Sequence, residues 1–327
     1  MTPSTLRASS AAERSMLSYI IRRLGWGILV LFGVSVVTFV VAFAVPGDPA
    51  RLIAGPHASR LVLANIRHAY GMDQPLPVQY LTYMNHLFHG NLGYAYSVSN
   101  PVLPTIAGRL PATALLALCG ILFELGIGLP VGVMAAVWPQ GIPDRLGILF
   151  SLFGFSIPPF ILGNLLLTAF AFHWTVFPLG GESGPSSIVL PALTLGLGGA
   201  AWYSRLLRAT MIDVLGTEYV RTARAKGLSS RRVVLRHALR NAAGPLVTQF
   251  GLDLAFFLSG VVVVETVFAW PGVGFLAYTA ITHDDINLVM GTVLFAAVFV
   301  VLVNILVDLA QAWLDPRIRL DSFEGAG

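Results

Sequence analysis

Six runs of this 327-residue chain, at 24–45, 113–137, 146–172, 188–207, 247–267 and 288–313, are apolar along nearly their whole length. A helix that crosses the hydrocarbon core of a bilayer needs roughly 20 such residues. Six runs of that length leave little of the chain for a soluble core. Composition agrees: 56% of residues are hydrophobic and only 11% charged, against about 25% charged in a soluble domain. The expected fold is therefore all-α and integral to the membrane, with six transmembrane helices. Prolines within the runs, Pro130, Pro158 and Pro159, are compatible with this, because neighbouring helices can satisfy the freed backbone groups. The "SIPPF" stretch around Pro158 is expected to kink the third span.

The basic residues orient the bundle. Of the twenty Lys and Arg residues, four precede the first run, four lie in the 46–111 loop and one in 138–145. Nine lie in 205–240 and two in the C-terminal tail. With both termini in the cytoplasm, sixteen fall inside and four outside, so the positive-inside rule predicts an N-in, C-in topology. Residues 1–15 read as a flexible tail, 16–45 as a cytoplasmic lead-in and first helix, 46–112 as an extracytoplasmic loop, 113–314 as the membrane domain with a cytoplasmic loop at 208–243, and 315–327 as a cytoplasmic tail. The first run is too long for a signal-peptide core and reads as a retained anchor.

The external loop carries local signals. Asp48-Pro49 has the form of a helix cap followed by a first-turn proline. Ser59 can cap a helix ending near Tyr70, with Gly71 as its left-handed stop. Apolar residues in "VQYLTYMNHLF" recur at helical spacing. Short amphipathic helices are expected there.

The stretch "EYVRTARAKGLSSRRVVLRHALRN", residues 218–241, concentrates charge in a chain that otherwise avoids it. Nothing breaks a helix from Glu218 to Lys226, Gly227 supplies a stop, and Ser229 or Ser230 can cap a second helix. Tyr219, Thr222, Ala223 and Lys226 are expected on one face with Val220 beside them, and Arg221 and Arg224 at its rim. Three uses compete. A helix lying on anionic lipid would carry bulky apolar residues, whereas this one carries alanines. Topogenic charge explains the arginines but not the small face. A helix docking into a partner's groove explains both.

Acidic residues at membrane depth raise a functional hypothesis by default. Glu124, Asp253 and Asp308 qualify, with Glu265 near the outer end of the fifth span. They are read either as lining a translocation pathway or as paired groups holding helices together. Gly196, Gly198 and Gly199 suit close helix packing. His57, His68, His86 and His89 lack the carboxylates or cysteines that would complete a metal set and read as surface residues. Cys119, the single cysteine, reads as a packing residue and excludes a disulfide. The single lysine, Lys226, is followed by Gly227, so no Gly-rich phosphate loop ending in Lys-Ser/Thr exists in the chain. No nucleophile–base order supports catalysis.

Several stretches together resemble the permeases of binding-protein-dependent ABC importers, specifically the peptide/nickel branch. They are "EYVRTARAKGL" and "RHALRNAAGP", with "VPGDPA" (45–50), "GMDQPLPVQY" (71–80), "HGNLG" (89–93), "ETVFAWPGVG" (265–274) and "LDPRIR" (314–319). Against the family's Glu-Ala-Ala loop pattern, Ala223, Gly227 and Leu239 match. Arg221, Thr222, His237 and Arg240 stand where the pattern has Glu, Ala, Ile and Pro. The resemblance implies a type I ABC importer permease of the dipeptide/oligopeptide kind in the bacterial inner membrane. It would form half of a pathway for di- or oligopeptides, with a nickel or glutathione-type permease as the alternative. A stand-alone ion-coupled carrier is a further alternative, but it has no use for the hairpin. By the same resemblance, Glu218, Tyr219, Arg221, Thr222, Ala223, Arg224, Lys226 and Gly227 would form the coupling helix seated on an ATPase. Implied partners are a second homologous permease, two ATP-binding subunits or domains that hold ATP and Mg, an extracytoplasmic binding protein and membrane lipid. No cofactor, metal or nucleic acid is expected on this chain.

Overall fold

The computed structural model describes residues 3–44, 49–55, 57–69 and 71–314. Within these, the side chains of 3–20, 43–44, 49, 52–53, 247–248, 251–252, 254–260 and 308–314 are not described. The expected cap at Asp48, Tyr70, the side chain of Asp308 and the 315–327 tail therefore lie outside the described residues.

The elements run α1 (Pro3–Ala44), α2 (Pro49–Ala54), α3 (Arg60–Ala69), α4 (Leu76–Phe88), β1 (Tyr94–Ala95), β2 (Asn100–Pro101), α5 (Val102–Val137), α6 (Ile142–Ser156) and α7 (Pro159–Leu166). A π-helical turn (Leu167–His173) and a 3-10 turn (Pro185–Ile188) lead to α8 (Val189–Leu215) and α9 (Glu218–Ala225). Next come α10 (Ser230–Arg232), a π-helical turn (Val233–Ala238), α11 (Leu239–Ala242), α12 (Gly244–Val267), α13 (Val273–Thr282) and α14 (Ile286–Leu314). Apart from the two-residue β1–β2 ladder, the described residues are helical or irregular. Helix α1 runs back through most of the segment read from sequence as a tail.

Four helical stretches among the described residues are long and apolar enough to cross a membrane: Ile21–Ala42, Val102–Val137, Pro185–Leu215 and Ile286–Val307. The third expected span differs from a single kinked crossing. It is two short helices, Ile142–Ser156 and Pro159–His173, set at 105°. Ile157 adopts an extended conformation and Pro158 continues it (φ −58°, ψ 142°), as the restriction on a residue before proline requires. With Pro159 following, the break is a corner rather than a bend. The fifth expected run coincides with α12, a helix of 24 residues.

The chain divides into two compact units, residues 1–106 with 279–327, and residues 107–278. In the first, α1 packs along α14, where a Cβ on Gly27 would press on Val301. Phe39, Ala42 and Met290 form a small core roofed by Tyr80 and Tyr83 of α4, and Ser35 shares a 2.8 Å hydrogen bond with the Tyr80 hydroxyl. The Asp285 carboxylate accepts from both the backbone N–H and the hydroxyl of Ser97 at 2.8 Å. Its other oxygen accepts from the Leu288 N–H, capping α14. The Ser59 hydroxyl accepts from Val62 N–H at the start of α3, and Gly71 has φ +66°, as the local sequence predicts. His68 holds the Asp73 carboxyl below its usual range through a 2.9 Å hydrogen bond.

In the second unit, α5, α6 and α8 pack through small residues. Gly196 of α8 meets the Gly120 carbonyl and the Phe123 side chain of α5, and Gly199 meets the Glu124 carboxyl. A Cβ at either position has no room. Gly198 faces open space, so two of the three glycines singled out from the sequence make the close approach.

Candidate functional site

The basic hairpin forms as a helix, a glycine turn and a second helix. Thr217 stands at the N-cap of α9 in an extended conformation, and Gly227 closes the helix with φ +78°. That value belongs to the left-handed region, which glycine enters without a Cβ penalty. The Gly227 N–H donates to the Arg224 carbonyl and the Leu228 N–H to the Ala223 carbonyl, satisfying groups that the helix end leaves open. The second helix starts at Ser230, with Ser229 at its cap position, but widens at once into a π-helical turn.

One face of α9 turns inward. Val220 and Ala223, three residues apart, pack on Val233 with Val214, Leu215 and Leu228 around them. This corrects the expectation that Ala223 belongs to the surface offered to a partner. Its small side chain lets α9 lie close to its own hairpin. What remains exposed is Glu218, Tyr219, Arg221, Thr222, Arg224, Ala225, Lys226 and Gly227. The Arg221 guanidinium donates to Glu218 at 2.7 Å along the helix, and the Tyr219 hydroxyl accepts from the Asn241 amide at 2.7 Å. The second bond ties the exposed ridge to α11, which itself packs on α8. The result is a polar, cationic ridge on a firm apolar base.

Directly upstream lies a contact that sequence reading missed. Asp144, at the start of α6 and only 3% exposed, receives two guanidinium N–H groups of Arg208 on α8, one of them at 3.0 Å. The Gln140 N–H donates to the same carboxylate at 2.7 Å. A bidentate pair fixes geometry as well as charge, so α6 is pinned to α8 about two turns before α8 ends at Leu215. The one local signal was an acidic residue in the first turn of a helix. Its partner lies 64 positions away.

The acids at membrane depth separate into two groups. Glu265, fully buried at the C-terminal end of α12, accepts from the Thr113 hydroxyl at 2.7 Å and the Phe275 N–H at 2.9 Å. Thr113 in turn accepts from the Val273 N–H, and the Trp270 indole N–H donates to the Ala112 carbonyl. Gly272 and Gly274 leave the carboxylate its space. "ETVFAWPGVG" is thus a closed polar knot at the α12–α13 turn, and Glu265 is enclosed within the chain.

Glu124, 2% exposed, lies against Gly199 of α8. Asp253 accepts from the Gln249 amide at 2.8 Å on one oxygen. Its other oxygen and the Tyr203 hydroxyl are buried with no hydrogen-bond partner among the described residues. The structure therefore sets Glu124 against Gly199 of α8 and Asp253 beside Gln249 on α12, and places Glu265 in a separate network.

Comparisons with known proteins bear on this architecture. Residues 128–320 match the family described as binding-protein-dependent transport system inner membrane component, and residues 16–117 match its N-terminal counterpart. The glutathione transport system permease protein GsiC of Salmonella typhimurium (strain LT2) is 40% identical over 304 residues, covering 93% of this chain and 99% of that protein. GsiC of Escherichia coli O6:H1 is 41% identical over the same coverage. Among solved structures, an inward-facing MetNI methionine ABC transporter chain aligns with a TM-score of 0.52 and 19% identity, covering 65% of this chain and 98% of that one. That likeness speaks to the fold alone. The chain belongs to the binding-protein-dependent transport system inner membrane component family, as a non-catalytic, multi-pass inner-membrane permease of a bacterial ABC importer that works with ATPase subunits and a binding protein.

Proposed function

We propose that this chain forms one half of the pathway of an importer for glutathione or a closely similar short peptide, and that residues 218–227 couple it to the ATPases. The substrate reading rests on one observation, the 40–41% identity to glutathione permeases over almost the whole of both chains. Sequence motifs put di- and oligopeptides first, with a nickel or glutathione-type permease as the alternative; the relatives favour the glutathione half of that alternative. The coupling reading is supported by the exposed cationic ridge of α9 and its rigid base. The proposal takes all six apolar runs as crossings, with both termini inside. The partners are a second homologous permease, two ATP-binding subunits that carry ATP and Mg, and an external binding protein.

The test is uptake of labelled glutathione by the transporter reconstituted with its own partner subunits, with excess unlabelled di- and tetrapeptides as competitors. ATP-dependent glutathione uptake that the other peptides fail to suppress is the expected result. Uptake of the peptides without uptake of glutathione would return the substrate to the wider peptide class.

A further inference from the structure

We propose that the cleft between α6 and α8 is a binding site for the headgroup of an anionic phospholipid. The cleft encloses about 480 Å³ beside α5 and α8, and Arg205 and Arg208 stand along it with Ser151, Ser156 and Ser204. The two arginines differ in what they have left to offer. Arg208 is engaged by both oxygens of Asp144. Arg205 is exposed and has no carboxylate partner among the described residues. The cleft therefore carries one uncompensated positive charge, on a guanidinium whose geometry suits a phosphate.

The serines set a second requirement. Ser151 and Ser204 share a 3.0 Å contact, and their hydroxyls also reach the Gly147 and Ala201 carbonyls. Two protons thus serve three acceptor positions, which leaves oxygen lone pairs open to an outside donor. A phosphate diester whose headgroup bears hydroxyls meets both demands: phosphate on Arg205, hydroxyls on the serines. The third feature selects a lipid over a soluble phosphate. Ile148, Leu152 and Phe155 line the same cleft, and Leu152 and Phe155 are each 62% exposed. A free anion gains nothing from that apolar wall, whereas an acyl chain is covered by it. The inference depends on neither the substrate nor the coupling reading.

The experiment is native mass spectrometry of the complete purified transporter, titrated with phosphatidylglycerol or phosphatidylcholine. Both lipids bring a phosphate, but the ammonium of phosphatidylcholine offsets its charge and it offers the serines no hydroxyls, so phosphatidylglycerol should bind roughly tenfold tighter. Arg205→Gln should weaken phosphatidylglycerol binding and shrink that preference severalfold, Arg205→Lys should keep most of it, and Arg231→Gln, on the basic hairpin, should leave it intact. Equal affinity for the two lipids, or an unchanged preference in Arg205→Gln, overturns the site. Full displacement by glycerol phosphate at equal concentration overturns the lipid assignment and leaves a plain anion site. Loss of all lipid binding in the complex would mean that a partner subunit covers the cleft, and the proposal fails.

Discussion

Thr113 does two jobs with one hydroxyl: it donates to Glu265 and accepts from the Val273 N–H. Thr113→Val keeps the shape and removes both bonds, leaving a buried carboxylate oxygen and a buried N–H without partners. Such losses cost about 1–3 kcal/mol each, more for a charged group. The purified variant should melt several degrees lower, while Thr113→Ser should stay near wild type; equal melting of all three would mean the knot contributes little. Nothing in the sequence announces this contact. Thr113 and Glu265 are 152 positions apart; Glu265 reads from sequence as a pathway or helix-pairing acid and Thr113 as a polar residue at the edge of an apolar run, but neither names the other. The same holds for Asp144 and Arg208. Local signals, by contrast, were legible, because Ser59, Gly71 and Gly227 act on backbone groups within a few residues. A single sequence reports short-range chemistry well and long-range pairing hardly at all.

At the scale of the element, the hairpin shows what pattern can and cannot decide. Its boundaries follow from the glycine and the absence of breakers, and the structure agrees with both. Which face it presents does not follow, since a small apolar face suits its own hairpin as well as a partner's groove. Packing of Val220 and Ala223 on Val233 decided that question. Gly227 is then the residue on which the hairpin's geometry turns. Gly227→Ala should cost about 1–2 kcal/mol for the left-handed conformation and leave transport largely intact. Gly227→Pro cannot adopt φ +78° at all. It should insert in the membrane normally yet lose substrate-stimulated ATP hydrolysis, read by comparing basal and stimulated rates in proteoliposomes. Normal stimulation in the proline variant would argue against the coupling role. The corner at Ile157–Pro158 has a similar lesson: two prolines foretell an interruption, but the 105° angle cannot be read from them, and neither can the packing of α6 on α8 or of α7 on α8 and α12.

For the whole molecule, the number of long apolar runs and the uneven placement of arginines settle the class of protein before any contact is known. Orientation can be read directly. In a Cys119→Ser background, Arg221→Cys should react with a membrane-impermeant maleimide only when the cytoplasmic face is open to it. His89→Cys should react from the external face. Labelling of both from the same side would reverse or break the proposed topology. The chain's charge chemistry has one further consequence. Nineteen of its twenty basic side chains are arginines, and its single lysine, Lys226, stands exposed at the C-cap of α9. Apart from the N-terminus, this subunit offers amine-directed reagents one address, so a short-arm cross-linker joining it to a neighbour through its lysine measures proximity to a single known point.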